Sequence, residues 1–336
     1  MRKIHKQIIA GLVSAAMVMD CAPGMESKAA ETFVREETVK KLTEEVSGTD
    51  YKVSWSIDTD GYLTITGEGN WTSTPDWLEY AEYITEADVN LTSVTKLNDM
   101  FKGCNNLTSV QWNETTTTSV TNMSSMFYGC SSLEELDIST LAASKVTNMS
   151  SMFYGCTNLS YLVLSDADYN DTGIPSFITT AVKNMSSMFY GCENLSEIDV
   201  SVFSTTNVTD MSAMFYDCSS LDSLDLSGFV TTSLTNMNAM FSGCEQLSEI
   251  VFDGVSTAKV TNMGSMFYGC ENLTDIDLTG FNTAKVTDMS AMFAGCTYLD
   301  GLDFSGFSTT LVTDMSSMFL DCESVSSLDL STFVPH

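Results

Sequence analysis

The chain has 336 residues, with 14 Lys+Arg against 44 Asp+Glu and a formal net charge of −30. A surface this acidic repels phosphate backbones and anionic lipid headgroups, which excludes nucleic acid and a bare membrane surface as partners. The two histidines, His5 and His336, lie at the ends of the chain. Because histidine-dependent catalysis and histidine-ligated zinc need an imidazole inside a folded pocket, we expect no catalytic activity.

Residues 1–29 predict a secretory signal peptide. Basic residues precede an apolar run over 8–19, which is too short to span a membrane. Cleavage is expected after Ala29. Cys21 suggests a lipidated N-terminus as the alternative, but Asp20 stands where a bacterial lipobox has a small residue. The simpler interpretation is a signal peptide that is removed.

Residues 30–91 predict an N-terminal cap. Apolar residues at helical spacing predict a helix over 31–47, and alternating apolar residues predict a β-hairpin over 53–66. Such a cap would cover the open apolar end of a repeat array. Trp71 and Trp77 are assigned to the same cap, with a stacked-aromatic sugar site as the alternative.

Residues 92–336 repeat with a period of 26 residues. The nine cysteines after Cys21 mark the period, and seven of their eight intervals are 26 residues long. They are Cys104, Cys130, Cys156, Cys192, Cys218, Cys244, Cys270, Cys296 and Cys322. A phenylalanine lies three residues before each one, and a methionine lies directly before each phenylalanine. A fixed period of this length is typical of solenoids and other repeat arrays.

One unit illustrates the predicted structure of all nine. Met263, Met266 and Phe267 stand at i, i+3 and i+4, which predicts a short helical turn with Asn262 as its N-cap. Alternation over 273–278 then predicts a short strand with one buried face. A single unit cannot bury its apolar side alone, so stacked units should form one continuous core.

The unit resembles the repeats of the BspA-like leucine-rich-repeat surface proteins. The motif Leu-x-x-Leu-Asp-Leu-Ser, followed by Val-Thr-Asn-Met-Ser-x-Met-Phe-x-Gly-Cys, carries the resemblance over residues 92–336. It implies an α/β repeat fold: a right-handed solenoid with a parallel sheet on one face and short helical turns on the other. It also implies export to a bacterial cell surface and adhesion to host matrix proteins, other cells or surfaces.

A ten-residue insertion near 165–176 explains the single interval of 36 residues, and loops on rigid scaffolds often bind ligands. Its candidate ligand residues are Asp166, Asp168, Asn170 and Asp171. An EF-hand is not supported, because Asp171 replaces the glycine of the calcium loop and Phe177 replaces the bidentate glutamate. A looser calcium site is the alternative to a solvated acidic loop. No other cofactor or metal is expected.

The nine cysteines are expected to be buried free thiols. Their number is odd, and all hold the same position beside the Met-Phe face. Equivalent side chains in a stack point inward in parallel, where a thiol acts as a small hydrophobic group. Disulfides between units are the alternative for an exported protein.

A row of aspartates is expected on the exposed side of the strands. Its members are Asp137, Asp199, Asp225, Asp277, Asp303 and Asp329. Equal charges on neighbouring strands repel unless cations or a basic partner screen them, so the row is a candidate docking site. The alternative is a charged face that serves solubility alone. Carboxylates two strands apart also allow an inverting glycosidase as a remote alternative.

We therefore expect a secreted or cell-surface interaction protein that binds protein or glycan ligands and has no transmembrane span. The alternatives are a structural surface spacer without a specific ligand and, remotely, a carbohydrate-active enzyme. The repeats run to Phe333 without a capping unit or wall-sorting motif. A truncated chain is the simpler expectation there, and an open end that pairs with a partner is the alternative.

Overall fold

The repeats form a solenoid of stacked coils. The structure is a computed structural model that describes residues 40–164 and 177–333. Equivalent residues of successive units are joined by parallel β-bridges along one continuous ladder. The bridged positions are Lys96, Asn122, Asn148, Asn184, Asp210, Asn236, Asn262, Asp288 and Asp314. The predicted leucine-rich-repeat solenoid is confirmed at this level, with nine bridged units among the described residues.

The N-terminal strands continue directly into the stack. They are β1 (Val46–Asp50), β2 (Val53–Ile57), β3 (Tyr62–Glu68), β4 (Glu86–Thr92) and β5 (Ser109–Trp112). Strands β1, β2 and β3 pair antiparallel, whereas β3–β4 and β4–β5 pair parallel, which gives one five-stranded sheet. The hairpin predicted over 53–66 is therefore present as β2 and β3. Its second strand, β3, pairs with β4 and so connects the hairpin to the stack.

The helix predicted over 31–47 is wrong in its described part. Residues 40–45 are not helical, and Val46 begins β1. Tyr51, at a φ of 60°, turns the chain so that β1 folds back onto β2. Strand pairing thus overrides the helical spacing of the apolar residues. Residues 31–39 lie outside the described part of the chain.

Side chains close the first coil against the N-terminal sheet. The Asn70 Oδ1 accepts hydrogen bonds from the backbone N–H groups of Thr95 and Lys96, at 2.8 and 3.3 Å. Trp77 lies in a 3-10 helix (Asp76–Tyr83), and its indole N–H donates to the carbonyl of Met100 at 2.8 Å. These bonds supply the partners that a preceding unit would otherwise provide.

The predicted helical turns on the second face are wrong. Ser125 has a φ of 54°, and the equivalent residue of every unit has a φ between 51° and 58°, which stops a right-handed helix. The N–H groups of Met123 and Phe127 instead donate to carbonyls of the next unit, at 3.0 and 2.9 Å. Asn122 is accordingly not a helix cap; its side chain closes a turn onto Ser124 N–H. The segment is a series of tight turns bonded to its neighbours.

The core is a set of parallel side-chain columns inside the coils. Stacked phenylalanine rings form one column, with centroids 5.4–5.8 Å apart from Phe101 to Phe319. The units are numbered from Cys104 (unit one) to Cys322 (unit nine). The methionine directly before each repeat phenylalanine and the one three residues earlier are buried in units one to eight, except that Leu97 replaces the earlier methionine in unit one. The strands provide the opposite wall through residues such as Leu136 and Leu224.

The strand layer is discontinuous, contrary to the nine-stranded sheet that the repeats suggest. After β5 the structure has β6 (Glu135–Asp137), β7 (Tyr161–Val163), β8 (Ser223–Asp225) and β9 (Glu249–Val251). Only β6–β7 and β8–β9 pair in this region. In the other described units the equivalent segments have no ladder pairing. The β-bridges on the neighbouring side of the coil, and not the strands, provide the continuous ladder.

Candidate functional site

The strand face consists of the outward positions of the strand segments in units two to nine. It has two columns, two residues apart along each strand. The first column contains Glu135, Tyr161, Glu197, Ser223, Glu249, Asp275, Gly301 and Ser327. The second contains Asp137, Val163, Asp199, Asp225, Val251, Asp277, Asp303 and Asp329. All ten carboxylates are exposed, and neither column contains Lys, Arg or His. The structure thus places the six predicted aspartates on one exposed face.

Each of the six aspartates also has a structural role. Its Oδ1 accepts a hydrogen bond of 2.8–2.9 Å from the backbone N–H two residues later, which closes the turn after the strand. The bond from Ser227 N–H lowers the pKa of Asp225, and those from the Thr279 hydroxyl and N–H lower the pKa of Asp277. The pKa values of Asp303 and Asp329 are lowered by the same kind of bond.

The same turn recurs at the β-bridged positions with either asparagine or aspartate. There the side-chain oxygen accepts from the N–H two residues later at 2.8–3.1 Å in eight units. Five of these residues are asparagine, and the others are Asp210, Asp288 and Asp314. Because the neutral amide makes the same bond, the negative charge is not needed to close the turn.

The electrostatics of the strand face do not favour acid–base catalysis. A glycosidase needs one carboxyl group whose pKa is raised so that it can protonate the leaving group. The resolved shifts in this row, at Asp225, Asp277, Asp303 and Asp329, are all downward. Among the described residues, no group of three or more acidic, cysteine or histidine side chains could hold a metal ion.

A groove of about 610 Å³ interrupts the strand face between β7 and β8. Apolar side chains that line it include Leu162 and Ile198, and acidic ones include Glu197, Asp199 and Asp225. Tyr161 lies on its edge with 58% of its surface exposed. The groove lies where the extended residues 197–199 make no ladder pairing with β7.

Tyr161 is a candidate ligand-binding residue that the sequence analysis did not identify. Its signal was available, because Val163 interrupts the aspartate row in the same strand and the insertion follows that strand directly. The insertion residues Asp166, Asp168, Asn170 and Asp171 lie outside the described residues. On either side of the gap, Leu164 lines the groove and Phe177 is buried in the core.

The alternative sugar platform at Trp71 and Trp77 is wrong. Both rings are buried and pack edge to face at a centroid distance of 5.4 Å. Their faces are therefore inaccessible to a ligand, and they belong to the core beneath the first coil.

The nine cysteines of the repeats are free thiols aligned in one column. From Cys130 to Cys322, each Sγ–H donates to the carbonyl of the preceding unit's repeat phenylalanine at 3.0–3.3 Å. Burial raises the thiol pKa throughout, for example to about 12 at Cys156. A thiol that stays protonated is a poor nucleophile, so this column is structural.

A family model covers most of the repeat region. The model described as "Mycoplasma protein of unknown function, DUF285" matches residues 79–163, 157–253 and 249–334. The chain belongs to this family. Its three tandem matches divide the stack of coils described above. Among curated proteins, none matches this DUF285 chain significantly.

Similar solved structures include leucine-rich-repeat proteins of bacteria. A leucine-rich cell surface protein from Faecalibacterium prausnitzii is 17% identical, with coverage of 87% of this chain and 95% of that chain and a TM-score of 0.32. The T. pallidum protein TpLRR is 18% identical, with coverage of 68% and 92% and a TM-score of 0.32. A leucine-rich repeat protein from Bacteroides ovatus is 14% identical, with coverage of 84% and 94% and a TM-score of 0.25. This chain is similar to these leucine-rich-repeat proteins, while its family membership rests on the DUF285 match.

Within residues 40–164 and 177–333, no helix has both the length and the apolar character needed to cross a bilayer.

Proposed function

We propose that this DUF285 chain is an exported interaction protein whose strand face binds a basic partner at a cell surface. One observation carries the proposal: ten exposed carboxylates lie in two columns, and neither column contains a cationic side chain. Hydrogen bonds from Ser305 lower the pKa of Asp303, but the carboxylates of Asp277 and Asp329 act to raise it, so like charges repel one another along the face. A cationic partner would relieve that repulsion and would be steered toward the face from a distance.

Export is part of the proposal and rests on the sequence of residues 1–29. A basic start followed by a short apolar run supports a secretory signal, and cleavage after Ala29 is expected. Sequencing the N-terminus of the exported protein checks this point. A mature protein that retains residues 1–29 in the cytoplasm would contradict it.

The partner is sought on an array of purified matrix proteins and glycans probed with the full chain. The best partner is then measured against the variant in which Asp225, Asp277 and Asp303 are all changed to asparagine. Asparagine keeps the turn hydrogen bond, so the fold should survive while three charges leave the strand face. We expect at least about tenfold weaker binding, since three exposed charge pairs of about 0.5 kcal/mol each are lost.

The matched control changes Asp210, Asp288 and Asp314 to asparagine. This control removes the same charge from the same kind of turn, but at the β-bridged positions outside the strand face. Its affinity should remain within about twofold of the unchanged protein. Equal losses in the two triple variants would show that net charge, and not the strand face, governs binding.

Two other functions are separated by simple measurements. A structural spacer is favoured if no protein or glycan on the array binds above background. A carbohydrate-active enzyme is favoured if incubation with polysaccharides releases reducing ends, an outcome that the lowered aspartate pKa values oppose.

A further inference from the structure

The third unit breaks the acidic pattern of the strand face. Its two outward residues are Tyr161 and Val163, and both are uncharged. In the neighbouring units the same two positions hold an acidic pair on each side. The four carboxylates that bracket the uncharged patch are Glu135, Asp137, Glu197 and Asp199.

Strand pairing defines one side of this arrangement. In the β6–β7 register, Glu135 lies opposite Tyr161 and Asp137 lies opposite Val163. Neighbouring strands lie about 4.8 Å apart, so the carboxylates border the ring and the valine. On the other side, Glu197 lines the same groove as Tyr161.

The Tyr161 ring is available to a ligand. It is 58% exposed, and within the described residues it stacks on no aromatic ring and lies under no lysine. Tyr128 and Tyr154 differ from it. Tyr128 stacks on Tyr154 at 4.5 Å, and Lys102 Nζ lies 5.3 Å from its ring centroid. The chain therefore already shows a tyrosine that accepts a cation over its face.

We propose that Tyr161 and Val163 form a seat for an arginine side chain of an extended basic peptide segment in the partner. The inference rests on the proposed function and specifies the partner's chemistry. The guanidinium lies over the Tyr161 ring and between Glu135 and Glu197, while the methylene stem packs on Val163 and the apolar floor of the groove. Arginine is preferred to lysine because its planar guanidinium stacks on an aromatic ring and also bonds carboxylates in two directions.

The groove fits an inserted side chain with part of its backbone. Its volume of about 610 Å³ lies within the range of about 300–1,000 Å³ that ligand sites occupy. Apolar Ile198 lies between the acidic outward residues Glu197 and Asp199, which suits a segment that alternates cationic and small or apolar residues.

The test uses three fluorescent nonapeptides of alternating sequence, Arg-Gly, Lys-Gly and Glu-Gly, with the full chain at low ionic strength. Binding is followed by fluorescence anisotropy. We expect the Arg-Gly peptide to bind several-fold more tightly than Lys-Gly, and Glu-Gly not to bind. Tyr161→Thr should weaken Arg-Gly about tenfold, and Tyr161→Phe should retain its affinity because the ring face is kept.

Tyr298→Thr is the matched control, because Tyr298 is also exposed, by 60%, but lies outside the strand face. Its affinity for Arg-Gly should be unchanged. Circular dichroism of each variant excludes unfolding as the cause of a loss.

The outcomes separate this inference from the proposed function. If changing Asp225, Asp277 and Asp303 to asparagine weakens Arg-Gly while Tyr161→Thr does not, the face binds cations but the seat is rejected. If neither variant changes the affinity, both proposals are rejected. Equal affinities for Arg-Gly and Lys-Gly would reject the guanidinium preference.

Discussion

The turn before each repeat cysteine places one residue in the left-handed region of backbone space. Seven units have glycine there, with φ between 68° and 79°, whereas Asp217 and Asp321 have φ of 54° and 59°. Asp217 is half-buried, and burial followed by the charges of Glu193 and Glu245 raises its carboxyl pKa. The chain therefore holds both a strained backbone and an unfavourable charge at one residue.

Replacing Asp217 by glycine should stabilise the protein at pH 7. The left-handed conformation costs an ordinary residue about 1 kcal/mol, and the substitution also removes a poorly solvated charge. A raised folded-state pKa means that the carboxyl contributes most stability below its ordinary value of 3.8 and loses it as pH rises through the folded value. The gain from Asp217→Gly should therefore shrink as the pH falls toward 4, as measured by urea unfolding.

Asp321→Gly provides the comparison for the backbone part alone. Asp321 has the same conformation but is exposed, so its substitution should relieve the backbone strain without removing a poorly solvated charge. If the two variants show the same pH dependence, burial of the Asp217 carboxyl is not the source of the difference.

At the level of elements, the turn segments are held together by bonds between units. Phe189 shows this arrangement, since its N–H donates to the Met214 carbonyl and its own carbonyl accepts from the Cys218 thiol. The thiols are thus enclosed on all sides from Cys104 to Cys296, while Cys322 is only partly buried.

Cys322 should react before the other eight repeat thiols. In a chain whose Cys21 is replaced by serine, Ellman's reagent should modify Cys322 quickly and the other eight only as the protein unfolds. The reason is that the attacking thiolate is suppressed by burial, which raises the pKa of Cys156 to about 12. Absorbance at neutral pH, with and without urea, follows the reaction. Cys322→Ser should abolish the fast phase, and fast modification of several thiols in the native protein would contradict the enclosed column.

The sequence was sufficient to predict the stacking but not the shape of each turn. The 26-residue period identified the units, and the inward column of Met266, Phe267 and Cys270 follows from it. The i, i+3, i+4 spacing of Met263, Met266 and Phe267 fits both a helical turn and two successive tight turns. The positive φ of Ser265 decides between them, and serine gives no signal for that conformation.

The candidate site was predictable only in part for a similar reason. Outward placement of the aspartates follows from strand alternation, as at Asp277. The groove beside Tyr161 depends on a local loss of ladder pairing at 197–199, whose sequence matches the repeat pattern. Pairing between strands depends on the relative position of whole coils, which the residues of one unit do not specify.

For the molecule as a whole, charge is distributed unevenly around the coils. Every unit from two to nine has at least one carboxylate on the strand face, except the third, which has Tyr161 and Val163. Among the described residues there are three salt bridges, of which two lie outside the repeats. Most carboxylates of the described residues therefore have no cationic side chain within salt-bridge distance.

Added salt should therefore stabilise the protein. At 0.01 M ionic strength the screening length is about 30 Å and covers several units of the stack, whereas at 0.3 M it falls below about 10 Å. Screening weakens repulsion along the strand face and removes little attraction, because exposed ion pairs contribute only about 0–1 kcal/mol each. We expect the melting temperature to rise by a few degrees from 0.01 to 0.3 M NaCl in differential scanning fluorimetry.

The rise should be smaller when Asp225, Asp277 and Asp303 are changed to asparagine, because fewer like charges then face one another. A melting temperature that falls with salt would show that the three ion pairs outweigh the repulsion of the acidic columns.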